Sequence, residues 1–161
     1  MSALVPLLVG IPLFGAAVNL IFGRRRRIQI AVSVVSLTTV TVLAAVLLVI
    51  VDTTGPMAVA IAGWDIPLGI VLYVDVLAAL LVMVTSVVLL AVLLFSIGQG
   101  AADNDQDTPV SIFYPAYLIL GAGIFNAFIA GDLFNLYVGF EILLVASYVL
   151  ITLGSTESRI R

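Results

Sequence analysis

Residues 110–153 read VSIFYPAYLILGAGIFNAFIAGDLFNLYVGFEILLVASYVLITL, a run of 44 residues with only two charged side chains, Asp132 and Glu141. A single helix of that length would extend about 66 Å at 1.5 Å per residue, roughly twice the hydrocarbon thickness of a bilayer. The chain must therefore fold back on itself within this stretch, so it predicts two membrane-spanning helices rather than one.

The turn between these two helices is expected at Gly131 and Asp132. Glycine can adopt positive φ at the C-terminus of a helix, and Asp132 can cap the next helix by accepting a hydrogen bond from the N–H of Asn135. We therefore predict a tight helical hairpin, with helices over about 110–130 and 133–153.

The composition extends this interpretation to the whole chain. Its 161 residues are 63% hydrophobic and 9% charged, whereas soluble domains average about 45–50% and about 25%. This excludes a water-soluble fold. The sequence predicts an all-α integral membrane protein with a single membrane domain over residues 1–161. Three further apolar stretches are long enough to span a bilayer, at about residues 3–22, 28–51 and 70–97.

The residue types that the sequence lacks exclude several kinds of chemistry. It contains no cysteine, histidine or lysine, which argues against disulfides, thiol nucleophiles, Cys/His zinc sites and histidine acid–base catalysis. Phosphate-binding loops and hydrolase motifs are also absent from the sequence. We expect no cofactor and no metal. One short basic block, Arg24 to Arg27, is not the extended basic face that nucleic-acid binding requires.

The positions of the arginines predict the orientation in the membrane. Basic residues in short loops remain on the cytoplasmic side, and with five crossings all six arginines fall on one side, including Arg159 and Arg161. The N-terminus is therefore expected outside and the C-terminus inside, in the cytoplasmic membrane. A cleaved signal peptide is the alternative for residues 3–22, but a signal peptide carries its basic residues before the apolar run, not after it.

Glu141 is the candidate functional residue. It is the ninth residue of the predicted helix 133–153 and lies about 3 Å from the centre of that helix. Placing an ionised carboxylate there costs about 2.5–3.5 kcal/mol, so such residues usually face a protein interior or a water-filled path. The interpretation we favour is a proton carrier; the alternative is a protonated carboxyl that only bonds neighbouring helices.

Tyr148 lies on the same face of the helix as Glu141, seven residues later, with Ser147 beside it. Its hydroxyl is expected either to donate to Glu141 or to hold a water near it. The alternative, an interfacial aromatic residue near the helix end, fits the sequence equally well.

Two polar residues elsewhere have a structural and a functional interpretation. Asn126 lies beside Gly123 and Ala127, small residues at a spacing that lets helices approach closely, and its amide is expected to bond across helices rather than to act in transport. Asp75 opens the predicted third helix, where the helix dipole favours an acid. A role in proton entry or exit is the alternative for Asp75.

The stretch from Gly131 to Leu150 resembles the fifth-helix motif of the D subunits of multisubunit Mrp-type cation/proton antiporters. The stretch GWDIPLGI, residues 63–70, resembles the loop before their third helix. The wider family includes antiporter-like subunits of respiratory complex I and of membrane-bound hydrogenases. The resemblance implies a proton pathway in which Glu141 pairs with a lysine on a later helix. Phe140 belongs to the same motif but has no titratable role.

Members of that family have more helices than this chain, including inverted repeats that place sites between their halves. The resemblance therefore implies the N-terminal part of a larger antiporter-like bundle, with half of a site. It implies a proton-translocating, non-enzymatic subunit of a Na⁺/H⁺ antiporter, with other subunits, the lipid bilayer, protons and a monovalent cation as partners. Alternatives are a subunit of a complex I or hydrogenase type enzyme, and a helical scaffold without transport.

Overall fold

The computed structural model describes residues 2–23, 25–61, 69–98 and 112–153. Five α-helices contain most of these residues, which confirms the predicted all-α membrane architecture. The helices are α1 Leu7–Ile21, α2 Arg26–Thr54, α3 Val76–Gly98, α4 Phe113–Ile129 and α5 Leu133–Leu153. A 3₁₀ turn, Ser2–Leu4, precedes α1, and two strands, β1 Met57–Ala60 and β2 Val71–Val74, lie between α2 and α3.

Within the described ranges, α2, α3 and α5 are long and apolar enough to cross a membrane, while α1 and α4 are shorter apolar helices of 15 and 17 residues. The first helix begins at Leu7 rather than near residue 3, because a 3₁₀ turn precedes Pro6, the residue at the N-cap of α1. Proline is tolerated at the start of a helix, since the N–H that it lacks would have no partner inside the helix there.

The third helix was expected from residue 70 and begins at Val76, so that prediction is wrong by about two turns. Strand β2 occupies residues 71–74 and pairs antiparallel with β1, with Met57 opposite Val74 and Ala60 opposite Val71. Strand β2 and the helix that follows it are both apolar, and hydropathy does not distinguish a short buried strand from the start of a helix. The helix starts where Asp75 Oδ1 accepts the N–H of Ala78 at 2.7 Å.

Helix α4 lies at the centre of the fold, packed between α1 and α5, while α2 packs against α1 and α3. At the α4–α5 crossing the two backbones are close together. A Cβ added at Gly123 would lie 2.8 Å from the backbone nitrogen of Leu143, and one added at Gly139 would lie 3.0 Å from that of Ala127. The predicted small-residue contact at Gly123 and Ala127 is therefore confirmed.

The α4–α5 turn is held by strand β2. Asp132 Oδ1 accepts the N–H of Asn135 at 2.7 Å, which confirms the predicted cap, and Asp132 Oδ2 accepts the N–H of Val71 at 2.9 Å. The N–H groups of Asn135 and Val71 lower the pKa of the Asp132 carboxyl, since they stabilise its charged form. The turn therefore joins strand β2 to the start of α5.

Gly131 does not have the positive φ that we expected; among the described glycines that conformation occurs at Gly55, with φ of 89°. Glycine is needed at position 131 for a different reason. Its N–H donates to the Val71 carbonyl at 2.8 Å, and a Cβ would lie 2.9 Å from the same oxygen. The close approach of the α4–α5 turn to strand β2, rather than a left-handed backbone conformation, accounts for the glycine.

Candidate functional site

Glu141 lies in the middle of α5, and its side chain is exposed on the face of that helix that points away from α4. The buried residues of α5 are Asn135, Gly139 and Ala146, which form the side packed on α4. The opposite side carries exposed residues at a spacing of three and four, which we call the open face: Phe134, Tyr137, Glu141, Leu144, Tyr148 and Ile151.

Tyr137 donates a hydrogen bond from its hydroxyl to Glu141 Oε1 at 2.6 Å. We expected Tyr148 as the candidate donor, and the structure shows Tyr137 in that role. Four residues correspond to about 6 Å along a helix axis, within reach of a tyrosine, whereas the seven residues to Tyr148 correspond to about 10.5 Å. The spacing of four was the signal in the sequence that identifies Tyr137.

The other predicted neighbours of Glu141 make no hydrogen bond to it. Phe140 is 48% exposed beside the open face. Ser147 donates its hydroxyl to the carbonyl of Leu143 at 2.7 Å, in the preceding turn of α5. This is the usual partner of a serine inside a helix.

Asn126 is buried between α4 and α5, on the side of α5 away from the open face. Its Nδ2 donates to Asn135 Oδ1 at 3.0 Å and to the carbonyl of the same residue at 3.2 Å. This is the interhelical bond that we expected, and it holds the two helices at the level where Gly139 meets Ala127. Asn126 therefore supports the position of α5 without contacting Glu141.

Asp75 caps α3, so its contact with Ala78 supports the structural interpretation of this acid. Among the acids that the structure describes, Asp52 lies in the last turn of α2, while Asp75 and Asp132 lie in turns. Glu141 is thus the described acid that lies deep within a helix. No three acidic side chains in the described part of the chain form a group that could hold a metal ion. Residues 62–68, which contain most of the GWDIPLGI stretch, lie outside the described residues.

No known family model matches the chain, but individual proteins do. It is 34% identical over 161 residues to the Na(+)/H(+) antiporter D subunit of Alkalihalophilus pseudofirmus, covering all of this chain and 32% of the relative. It is 38% identical over 158 residues to the protein of the same name in Bacillus subtilis, covering 98% of this chain and 30% of the relative. The chain thus spans about a third of the length of these curated relatives.

Two solved structures have a similar fold. One is the Mrp complex from Dietzia sp. DQ12-45-1b, with a TM-score of 0.81 at 30% identity, covering 92% of this chain and 27% of the matched chain. The other is the membrane-bound sulfane sulfur reductase, an archaeal respiratory membrane complex, with a TM-score of 0.81 at 28% identity, covering 92% and 30%.

Proposed function

Because this chain is related over its whole length to the D subunits of Na⁺/H⁺ antiporters, we propose that it forms part of a proton-translocating subunit of a multisubunit cation/proton antiporter. The subunit is a multi-pass protein of the cytoplasmic membrane and a transporter component rather than an enzyme. Its partners are the other subunits of the complex, protons and a monovalent cation. Glu141 carries the proton.

The observation that supports this proposal is the position of Glu141 on the open face of α5. The residue lies eight positions after Leu133 and twelve before Leu153, the ends of an otherwise uncharged helix. An acid at that depth is costly in hydrocarbon, so its presence there favours a functional role. Its exposure away from α4 leaves the carboxylate available to a side chain or a water path outside this chain.

We propose that a further segment of the assembled subunit covers the open face and brings a basic side chain to Glu141. This sequence has no lysine, and its described arginines, Arg25 to Arg27, lie at the start of α2. The curated relatives are about three times as long as this chain, which leaves length for such a segment. A paired cation would offset the cost of the charged form of Glu141.

The test is Glu141→Gln in the assembled complex, measured as Na⁺-dependent proton movement in everted membrane vesicles. We expect exchange to be lost while the amount of assembled complex is unchanged, because glutamine preserves shape and polarity but cannot take up or release a proton. Leu144→Met, a volume-conserving change on the open face, is the matched control and should exchange normally. Normal exchange by Glu141→Gln contradicts the proposal, and normal exchange by Glu141→Leu supports a scaffold instead.

A second candidate function is a subunit of a respiratory membrane complex. It is favoured by the TM-score of 0.81 to a chain of the sulfane sulfur reductase, which equals the score for the Mrp complex. Purification of the chain with its natural partners separates the two candidates. Iron–sulfur or flavin subunits in the purified complex support the respiratory function, and a complex without redox subunits supports the antiporter.

A further inference from the structure

The hydrogen bond between Tyr137 and Glu141 has a geometry suited to proton handling. The hydroxyl oxygen and Oε1 are 2.6 Å apart, within the range of about 2.5–2.7 Å for a hydroxyl that donates to an ionised carboxylate. Tyr137 is one helical turn nearer the α4–α5 hairpin than Glu141, and both side chains lie on the open face. The bond therefore draws the carboxylate toward the N-terminal end of α5.

We propose that Tyr137 is a positioning residue that holds the carboxyl group of Glu141 in one orientation through its cycle of proton uptake and release. This inference rests on the proposed function of Glu141. A phenol hydroxyl both donates and accepts hydrogen bonds. It donates to the carboxylate when Glu141 is deprotonated and accepts from the carboxylic acid when Glu141 is protonated, so neither state leaves the carboxyl without a partner.

No other described side chain shares this role. Helix α4, the element packed against α5, contains no acidic or basic residue. Its two tyrosines are buried, and the hydroxyl of Tyr117 donates to the carbonyl of Leu89 at 2.8 Å. On α5 itself the remaining ionisable side chain is Tyr148, two turns beyond Glu141. Within the described part of the chain, Tyr137 is thus the hydrogen-bond donor to Glu141.

The test compares Tyr137→Phe with Tyr148→Phe in the assembled complex. Both changes remove one hydroxyl from an exposed tyrosine on the open face, but it is the Tyr137 hydroxyl that donates to Glu141. We expect Tyr137→Phe to lower the maximal exchange rate about tenfold or more, which matches the loss of a hydrogen bond to a charged group. Its pH profile should be displaced while the apparent KM for the cation stays unchanged. Tyr148→Phe should behave as wild type.

A double-mutant cycle separates positioning from a loss of folding. Glu141→Asp draws the carboxylate back by one methylene, away from the Tyr137 hydroxyl, so adding Tyr137→Phe to it should lower the rate by less than twofold. The same factor in both backgrounds would indicate that Tyr137 supports the helix only, and would overturn the proposal. An unchanged rate and pH profile for Tyr137→Phe, with Glu141→Gln inactive, overturns the positioning role but leaves the proposed function intact. Exchange by Glu141→Gln overturns both.

Discussion

The close crossing of α4 and α5 makes Gly123→Ala the sharpest test of the packing. The added Cβ would lie 2.8 Å from the backbone nitrogen of Leu143, 3.1 Å from the Cγ2 of Ile142 and 3.2 Å from the carbonyl oxygen of Gly139. Two of these neighbours are backbone atoms, which cannot rotate away as a flexible side chain does. The helices must therefore separate by several tenths of an ångström.

That separation has two costs. Overpacking typically destabilises a protein by about 1–3 kcal/mol, and the bonds from Asn126 Nδ2 to Asn135, already 3.0 and 3.2 Å long, would lengthen further. An interhelical hydrogen bond in a membrane contributes about 0.6 kcal/mol. The higher helix propensity of alanine offsets at most about 1 kcal/mol of this loss. We expect a net loss of about 1–3 kcal/mol.

Gly10→Ala is the matched control, because Gly10 also lies inside a helix, α1, but nothing lies within 4 Å of the Cβ that the change would add. Its effect should be neutral or slightly stabilising. The assay is the thermal unfolding midpoint of the detergent-solubilised protein. Gly123→Ala should lower the Tm by several degrees, about 2–4 °C per kcal/mol for a chain of this size. Equal midpoints for Gly123→Ala and Gly10→Ala would refute the close approach of the two backbones.

The turn between α4 and α5 supports two further predictions. Asp132→Asn should cost about 1 kcal/mol, the net contribution of one hydrogen bond, because the amide keeps only one acceptor for the N–H groups of Asn135 and Val71. The pKa of Asp132 is lowered from its ordinary 3.8, so its contribution to the free energy of unfolding should be constant above pH 3.8 and lost as the pH falls through the pKa of the folded state. Thermal unfolding of wild type and Asp132→Asn across that pH range measures this contribution. A contribution that grows on acidification would contradict the prediction. Gly131→Ala should speed hydrogen exchange at the amides of residues 131 and 71, since the added Cβ would lie 2.9 Å from the Val71 carbonyl oxygen. Unchanged exchange at both amides would argue against the contact between the turn and strand β2.

The helical hairpin was predictable because its signals are local. The length of the apolar run requires a turn, and a capping acid three residues before an N–H is a short-range contact. The first and third helices were predicted too long for a physical reason as well. Hydropathy records how apolar a segment is but not whether its backbone bonds within an α-helix or elsewhere. Residues 2–4 form a 3₁₀ turn, and the carbonyl of Ile70 accepts the N–H of Ile61 beside the strand pair. The same holds for Gly131. A glycine between two helices indicates a position where a side chain does not fit, but the reason, the close approach of strand β2, is visible only in the structure.

By itself, the sequence determined that this protein resides in a membrane, that its helices fold back in a hairpin and that one acid lies deep in the last of them, because apolar length and the position of a charge are properties of the chain taken in order. Only the tertiary structure decided which side of α5 packs against α4, and that Glu141 lies on the other side together with Tyr137. The physical reason is that a helix of low polarity shows little difference between its faces. Its rotation is set instead by the contacts of Gly123 and Gly139 with the opposing helix backbone, and those contacts exist only once the two helices have packed.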